Sequence, residues 1–391
     1  MNIRVFERKQ IRKVIPIYLA NLFVSLHYAA VLFVNSSNLG KFYPKNIVSG
    51  LFILGALLNI ILLALAPKII RIIGNKNSIF IFIFLEILAV LGLATSHSPV
   101  GVALSFLIYS TVMMMIYYCL DLFLEDVTET SNTGEIRGID LTISNTAIAL
   151  APLLVAFLTP DGDFTLLYFA AAFLLIPALF ITFFMFKGFK DQYPLSKESK
   201  FDFKNWLKHK FIRRVTLARL VLEIFYAVMV IYTPIYLYNT IGFSWSQIGF
   251  IFAVMLLPFV MFELPVGELV DHWCTEKDIM TVGFFIMGMS LLTMPFIGKD
   301  IYSWMVILFI SRIGASFVEV TSESYFFKRV WKTDTVLISI FRLTRPVAII
   351  LGSVIGVITL TFFPFRAIFL ILAIVVFFGT QISAILKPVD N

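Results

Sequence analysis

The sequence predicts an all-α integral membrane protein with twelve transmembrane helices in two six-helix bundles. Three observations carry that reading. Of the 391 residues, 60% are hydrophobic and 14% charged, with a mean hydropathy of +0.94; a soluble chain is about 45–50% apolar and about 25% charged. Twelve apolar runs approach the roughly 20 residues that a helix needs to cross about 30 Å of hydrocarbon. The basic residues alternate between rich and poor connections along the chain. One soluble core cannot absorb this apolar excess, because cores stop growing at about 250–300 residues. A soluble enzyme, an ordinary nucleic-acid binder and a disordered protein are thereby excluded. The net charge of +7 and pI near 9.2 do not mark a nucleic-acid surface, since the charges lie mostly between the apolar runs.

The first run, 14–34, follows a basic N-terminus (Arg4, Arg8, Lys9, Arg12, Lys13). It is too long for a signal-peptide core and has no small-residue cleavage pattern, so it is predicted to be retained as span one. Spans two to six are predicted at 46–66, 78–96, 100–124, 138–158 and 165–186, bounded by Pro67, Pro99 and the Pro160-Asp161-Gly162-Asp163 turn. Spans seven to twelve are predicted at 215–238, 248–266, 279–297, 301–326, 335–360 and 365–386, with Gly298-Lys299-Asp300 and Pro364 as boundaries. The lengths exclude transmembrane strands, which need only about 9–11 residues and alternate in polarity. The longest connection, 187–214, divides the chain into an N-terminal bundle (1–186) and a C-terminal bundle (215–391), six spans each. Its stretch from Phe201 to Lys208 alternates apolar and charged residues and is read as a solvated linker or a short surface helix on anionic lipid.

Orientation follows from Lys and Arg. With the N-terminus inside, the cytoplasmic segments hold 23 of the 31 basic residues and the outer connections hold Lys41, Lys45 and Lys299. The remaining Arg219, Arg312, Arg342, Arg345 and Arg366 fall within spans. This asymmetry is a positive-inside signal that puts both termini in the cytoplasm of a cell (plasma or inner) membrane. Cys119 and Cys274 are too differently placed to suggest a disulfide. No Cys/His cluster with metal spacing, no phosphate loop and no nucleophile–base set is present, so no metal, no cofactor and no enzymatic activity are expected.

Motifs add to the topology. GELVDHWCTEK, Gly267 to Lys277, follows span eight; PKIIRIIGNKN, Pro67 to Asn77, follows span two; TGEIRG, Thr133 to Gly138, opens span five. With the 6+6 plan and basic central loop, these resemble the major facilitator superfamily of transporters, whose signature is Gly-x-Leu-x-Asp-Arg/Lys-x-Gly-Arg/Lys. Gly267, Leu269 and Asp271 match it after span eight. After span two only Gly74 and Lys76 fit, and Arg71 stands where the acid belongs. The resemblance implies two pseudo-twofold-related bundles, with spans one, four, seven and ten lining a central cavity. It implies secondary transport of a small solute by alternating access, as a symporter or antiporter driven by protons, in a monomer surrounded by the lipid bilayer and without nucleic acid. It also implies a cytoplasmic gate in which Gly267 allows close helix approach, and Asp271, near the start of span nine and its favourable dipole, pairs with Arg137. Efflux of hydrophobic compounds, a lipid flippase and a non-transporting receptor remain alternatives on the same fold.

Ionisable groups inside a span cost about 2.5–3.5 kcal/mol each even on insertion scales, so they mark cavities or pairs. Span ten carries Arg312, Glu319 and Glu323, which align in one stripe, Glu319 and Glu323 lying about 20° to either side of Arg312 at 100° per residue. Arg312 is the candidate for an anionic solute group, having a fixed charge and a forked donor set. Glu319 is the candidate proton carrier, with Arg342 or Arg345 of span eleven at matching depth as its partner. Arg219 and Glu223 form an i,i+4 pair in span seven, and Pro346 permits a kink in span eleven. In the N-terminal half the polar candidates are Asn21 and His27 of span one and Asp121 of span four; His27 is read as either a packing hydrogen bond or a proton relay. Glu86, on the outer span three, fits nothing unless it reaches a neighbouring helix or stays protonated. The Met113-Met114-Met115 run and most of the 42 phenylalanines are expected to face lipid.

Overall fold

A computed structural model describes residues 8–127, 133–159, 162–186, 206, 208–330 and 335–387. Regular structure among the described residues is helical, with no strand. Eleven helices are long and apolar enough to cross a membrane, and the twelfth expected span is a shorter apolar stretch, Thr142–Leu158. Spans one to four are Arg8–Leu32, Lys45–Ile73, Asn75–Thr95 and Pro99–Val127, and span six is Thr165–Phe184. Spans seven to ten are Lys210–Tyr236, Trp245–His272, Glu276–Thr293 and Ile301–Arg329, and span twelve is Ala367–Ala384.

Two spans are interrupted where the sequence carries proline. Span five is Thr133–Leu150 followed by Pro152–Leu158. Pro152 lacks the N–H for the next helical bond, and its ring crowds the preceding turn. Span eleven is Thr335–Arg342 followed by Thr344–Phe362. Its break lies one residue past Arg342, whose carbonyl would have received the N–H that Pro346 lacks. Between spans two and three, Gly74 takes φ 81°, a conformation that glycine adopts without steric penalty. The one glycine conserved from the motif pattern after span two is thus the turn that separates two helices. At the start of span ten, Asp300 is the N-cap. Its carboxylate accepts from the Ser303 N–H at 2.9 Å and the Ser303 hydroxyl at 2.5 Å, which holds this exposed carboxyl below its ordinary pKa.

The chain forms two compact units, Met1–Asn35 with Leu57–Leu195 and Ser36–Ala56 with Ser196–Asn391. Division at 186 and 215 keeps span two whole, whereas its first half belongs to the C-terminal unit. There the Ser49 hydroxyl and the Tyr232 hydroxyl lie 2.5 Å apart. In the N-terminal unit, span one packs on spans four, five and six, and span three on spans four and six. Val24, Ile79, Ile116, Phe123 and Leu175 are central to the core. Met113 and Met115 belong to this core, 1% and 0% exposed. The expectation that the methionine run faces lipid is corrected for these two: span four turns one face of the run inward, and an unbranched thioether fills irregular gaps. Exposed Phe173, Phe180, Ile374 and Phe378 show the apolar outer faces expected of lipid-exposed helices.

In the C-terminal unit, spans nine and ten pack at the Gly283–Gly314 contact. A Cβ added at Gly314 would stand 2.5 Å from the Gly283 carbonyl oxygen, and one at Gly283 would stand 2.7 Å from that of Gly314. The absence of both side chains lets the backbones touch, which holds span ten in register.

Candidate functional site

In the C-terminal unit, spans seven and ten pack against each other and bring together charges that the sequence separates. The i,i+4 step on span seven stacks Arg219 over Glu223, with Nη2 2.9 Å from Glu223 Oε1 and Nε donating to it at 3.0 Å. The same guanidinium reaches across to span ten. Nη2 donates to Glu319 Oε1 at 3.2 Å, and Nη1 lies 3.5 Å from Glu323 Oε1. One turn further along span seven, the Tyr226 hydroxyl donates to Glu319 Oε2 at 2.8 Å. The stripe predicted on span ten therefore exists, and its two carboxylates converge on one arginine. Three carboxylates thus surround the Arg219 guanidinium in a mostly buried place. Glu223 is buried, whereas the side chains of Glu319 and Glu323 are 28% and 42% exposed. Protons therefore reach the span-ten pair more easily.

The described partners of Glu319 are Arg219 and Tyr226, both from span seven, a helix that the expectation for this carboxylate passed over. Arg342 and Arg345 are exposed and flank the interruption of span eleven. Helical pitch gives a residue's depth in its own span but not the helix it faces, and the packing of seven on ten decides this pairing.

Arg312 lies two turns from Glu319 on the same stripe but in a different environment. It is 2% exposed, and its guanidinium sits over the Phe225 ring at 4.7 Å and near the Tyr226 ring at 5.9 Å. Among the described residues no carboxylate comes within ion-pair distance of it, and its Nη1 has no hydrogen-bond partner. Aromatic faces stabilise a desolvated cation by about 2 kcal/mol, less than the several kcal/mol that effective burial costs an ion. A buried guanidinium with an unused donor can receive an anionic group. Tyr226 links the two centres, its ring beside Arg312 and its hydroxyl on Glu319.

The N-terminal unit holds a milder polar line. Asn21 Nδ2 donates to Asp140 Oδ1 at 2.7 Å and to Ser144 Oγ at 2.8 Å. Ser25 donates to Asn21 Oδ1 at 3.2 Å, and the Ser25 and Tyr117 hydroxyls are 3.2 Å apart. Asp140 went unnoticed in the sequence because it follows the Arg-Gly turn and reads as a boundary residue; its i,i+4 relation to Ser144 was the available signal. Asp121 is half-buried on span four, one turn beyond Tyr117. His27 is fully buried, with Nδ1 3.0 Å from the Ala171 carbonyl and Nε2 3.2 Å from Glu86 Oε1. Glu86 thereby turns inward from span three to a neighbouring helix.

The gate residues are placed only by their backbones. The side chains of Asp271 and Arg137 lie outside the described residues. Arg137 falls in the first two turns of Thr133–Leu150, and Asp271 in the last turn of Trp245–His272. The expected position of Asp271 near the start of span nine is corrected: it sits at a helix C-terminus, where the dipole disfavours a carboxylate. Thr275 caps span nine instead, with Glu276 and Asp278 in its first turn. Glu276 pairs with Lys328 of span ten at 2.9 Å and accepts from Ser324 at 3.3 Å. Gly267 is corrected as well. Nothing among the described residues lies within 4 Å of a Cβ added there, so no close helix approach requires it. Among the described residues no group of three or more His, Cys, Asp or Glu could hold a metal.

Comparison with known proteins bears on this architecture. No curated protein sequence matches the chain. Among solved structures, the nucleoside transporter NupG, crystallised as a point mutant, is similar with a TM-score of 0.78 at 11% identity, over 96% of this chain and 100% of that one. An auto-inhibited POT-family peptide transporter is similar with a TM-score of 0.78 at 12% identity, over 97% of this chain and 98% of that one. At such identities the likeness concerns the fold alone. The sequence profile of the Major Facilitator Superfamily matches residues 122–326 and 215–391, more than half of the chain. The protein therefore belongs to the major facilitator superfamily of membrane transporters.

Proposed function

We propose that the protein is a secondary active transporter that moves a small solute bearing an anionic group by alternating access, coupled to protons. The observation that carries this reading is Arg312, a buried guanidinium two turns from an acidic cluster, with no carboxylate partner among the described residues. In this reading Arg312 receives the anionic group of the solute. Glu319 carries the coupling proton, being held by Arg219 and Tyr226 yet reachable by water, and Arg342 and Arg345 of span eleven are its alternative cations. Glu323 and Glu223 share the acidic cluster, while Asn21, Asp121 and His27 belong to the N-terminal side of the pathway. Asp271 and Arg137 form the cytoplasmic gate. The protein works as a monomer in the cell membrane with both termini and the 187–214 loop in the cytoplasm, and the bundles 1–186 and 215–391 are its moving halves.

A thermal-shift screen of anionic solutes on purified protein identifies the ligand, because bound ligand stabilises by mass action. Proteoliposomes with an imposed pH gradient then test coupling. Glu319→Gln retains size and hydrogen bonding, so it should abolish uphill accumulation while the ligand-induced thermal shift persists. Normal gradient-driven accumulation by a folded Glu319→Gln protein overturns the assignment of the proton.

A further inference from the structure

The His27–Glu86 contact lies in the core of the N-terminal unit, where both side chains are 0% exposed, and the transport reading above does not use Glu86. The hydrogen-bond geometry constrains its protons. His27 Nδ1 is 3.0 Å from the Ala171 carbonyl, which can only accept, so Nδ1 carries hydrogen. Nε2 is then the atom that faces Glu86 Oε1 at 3.2 Å. Without a proton between them, an imidazole lone pair would face a carboxylate and a bare negative charge would be buried, a state that is strongly disfavoured. One dissociable proton on this line makes the pair neutral overall. It sits either on Nε2, as imidazolium against carboxylate, or on Oε1, as a neutral acid donating to imidazole.

Among the described residues no other cation comes within ion-pair distance of Glu86. Spans four and six contain no Lys or Arg. The nearest on span three is Lys76, ten residues or about 15 Å from Glu86, and on span one Lys13, fourteen residues or about 21 Å from His27. Span five, which packs on span one, contributes Arg137 and Asp140, the latter bound to Asn21. The remaining titratable neighbours are tyrosines. Tyr109 of span four has its ring 6.2 Å from that of His27, with Tyr28, Tyr117 and Tyr168 close to it. Two buried atoms at this place, Glu86 Oε2 and the Tyr109 hydroxyl, lack hydrogen-bond partners among the described residues. They are polar groups to which a water delivering or receiving that proton could bind.

We propose that His27 and Glu86, with Tyr109 beside them, form a proton-binding site of the N-terminal unit that exchanges one proton with solvent as spans one, three and six move. The site does not depend on the role of Glu319. Uptake forms an O–H or N–H bond on the Oε1–Nε2 line and neutralises the carboxylate charge; release returns that proton to water and leaves the charge behind.

Infrared difference spectroscopy on the purified full chain in lipid nanodiscs tests this, read from about pH 5 to about pH 9, where histidine and buried carboxyls titrate. Carboxylic-acid, carboxylate and imidazolium bands report the proton wherever it sits. The wild type should show a pH-dependent change of one carboxyl–imidazole pair. Glu319→Gln should retain it and Glu86→Gln should lose it. Glu86→Gln is expected to fold, because its amide N–H donates to Nε2 as the protonated acid does. In His27→Gln the Glu86 carboxyl should stay protonated across the range, since its base partner is gone. Identical pH-difference spectra for wild type and folded Glu86→Gln overturn the proposal. If Glu86→Gln fails to fold, a wild-type carboxyl titration that persists unchanged in His27→Gln overturns it equally.

Discussion

Arg219 and Glu319 stand a hundred residues apart in sequence and meet with Nη2 3.2 Å from Oε1. The same guanidinium also holds Glu223 and lies within 3.5 Å of Glu323. Three carboxylates of the C-terminal unit therefore share the Arg219 guanidinium. Removal of that cation and removal of one carboxylate must have opposite consequences. Loss of the cation leaves the carboxylates to repel one another in a mostly buried site; loss of one carboxylate relaxes the cluster.

Arg219→Met is accordingly expected to destabilise the protein by about 3–5 kcal/mol at neutral pH, the usual result of breaking a buried ionic group from one side. The sign of its pH dependence follows from the carboxylates. As pH falls they become protonated, their repulsion vanishes, and the deficit relative to wild type should shrink. Melting temperatures of both proteins at neutral and mildly acidic pH check this; a deficit that does not change with pH would dissociate the defect from the carboxylates.

Arg312→Met should behave differently. It retains much of the side-chain volume and removes a buried charge that has no carboxylate partner among the described residues, so stability should hold or rise by about 1–4 kcal/mol. The thermal shift caused by an anionic ligand should disappear at the same time. Arg312→Lys should recover little, because an ammonium lacks the planar fork that lies on the Phe225 ring. Retained ligand shifts in Arg312→Met would remove this residue from the binding site.

The two native cysteines offer a test of orientation. Cys119 is buried and Cys274 is exposed, in the turn between spans eight and nine. A membrane-impermeant maleimide should leave intact cells unlabelled and modify one cysteine per molecule in inverted vesicles. That signal should vanish in Cys274→Ser. Labelling of Cys274 in intact cells would reverse the proposed topology.

Asp300 supplies a pH-dependent local effect outside the membrane-spanning part. Its folded-state pKa is lowered chiefly by hydrogen bonds from Ser303, so the stabilisation is present above the ordinary aspartate value and is lost as pH falls through the lowered one. Asp300→Ala should therefore speed hydrogen exchange at the first turn of span ten at neutral pH. In acid the variant and the wild type should converge, since the wild type then loses the same charge. Amide exchange of residues 301–304 at the two pH values reads this directly.

Several features of the site were legible as one-helix properties. The stripe of Arg312, Glu319 and Glu323 and the Arg219–Glu223 pair follow from helical pitch alone, and the structure retains both. What pitch could not supply was the neighbour. Glu319 was matched by depth to span eleven, yet Arg219 and Tyr226 of span seven hold it. Asp271 was read as the start of a helix from its motif and lies at the end of one, because motif spacing does not state where the backbone turns. Glu86 was expected either to reach a neighbouring helix or to stay protonated, and the sequence did not say which helix it would meet. In the structure its inward face meets His27, 59 residues away.

From sequence alone, composition and run length determined a helical membrane protein and its apolar spans, most of them to within a few residues, and Pro346 marked the interruption of span eleven; the break of span five at Pro152 came from the structure. These properties are set by local chemistry: the water-to-lipid transfer of each side chain and the missing N–H of proline. Tertiary structure alone decided which charges meet. A buried ion's partner depends on the rotation and crossing of helices distant in sequence, and contacts such as Gly283 on Gly314 fix these by backbone shape. The pairing of His27 with Glu86 and the sharing of Arg219 among three carboxylates come from that packing, because inside a dry interior each charge or hydrogen-bonding atom takes whatever group the neighbouring helix presents within about 3 Å.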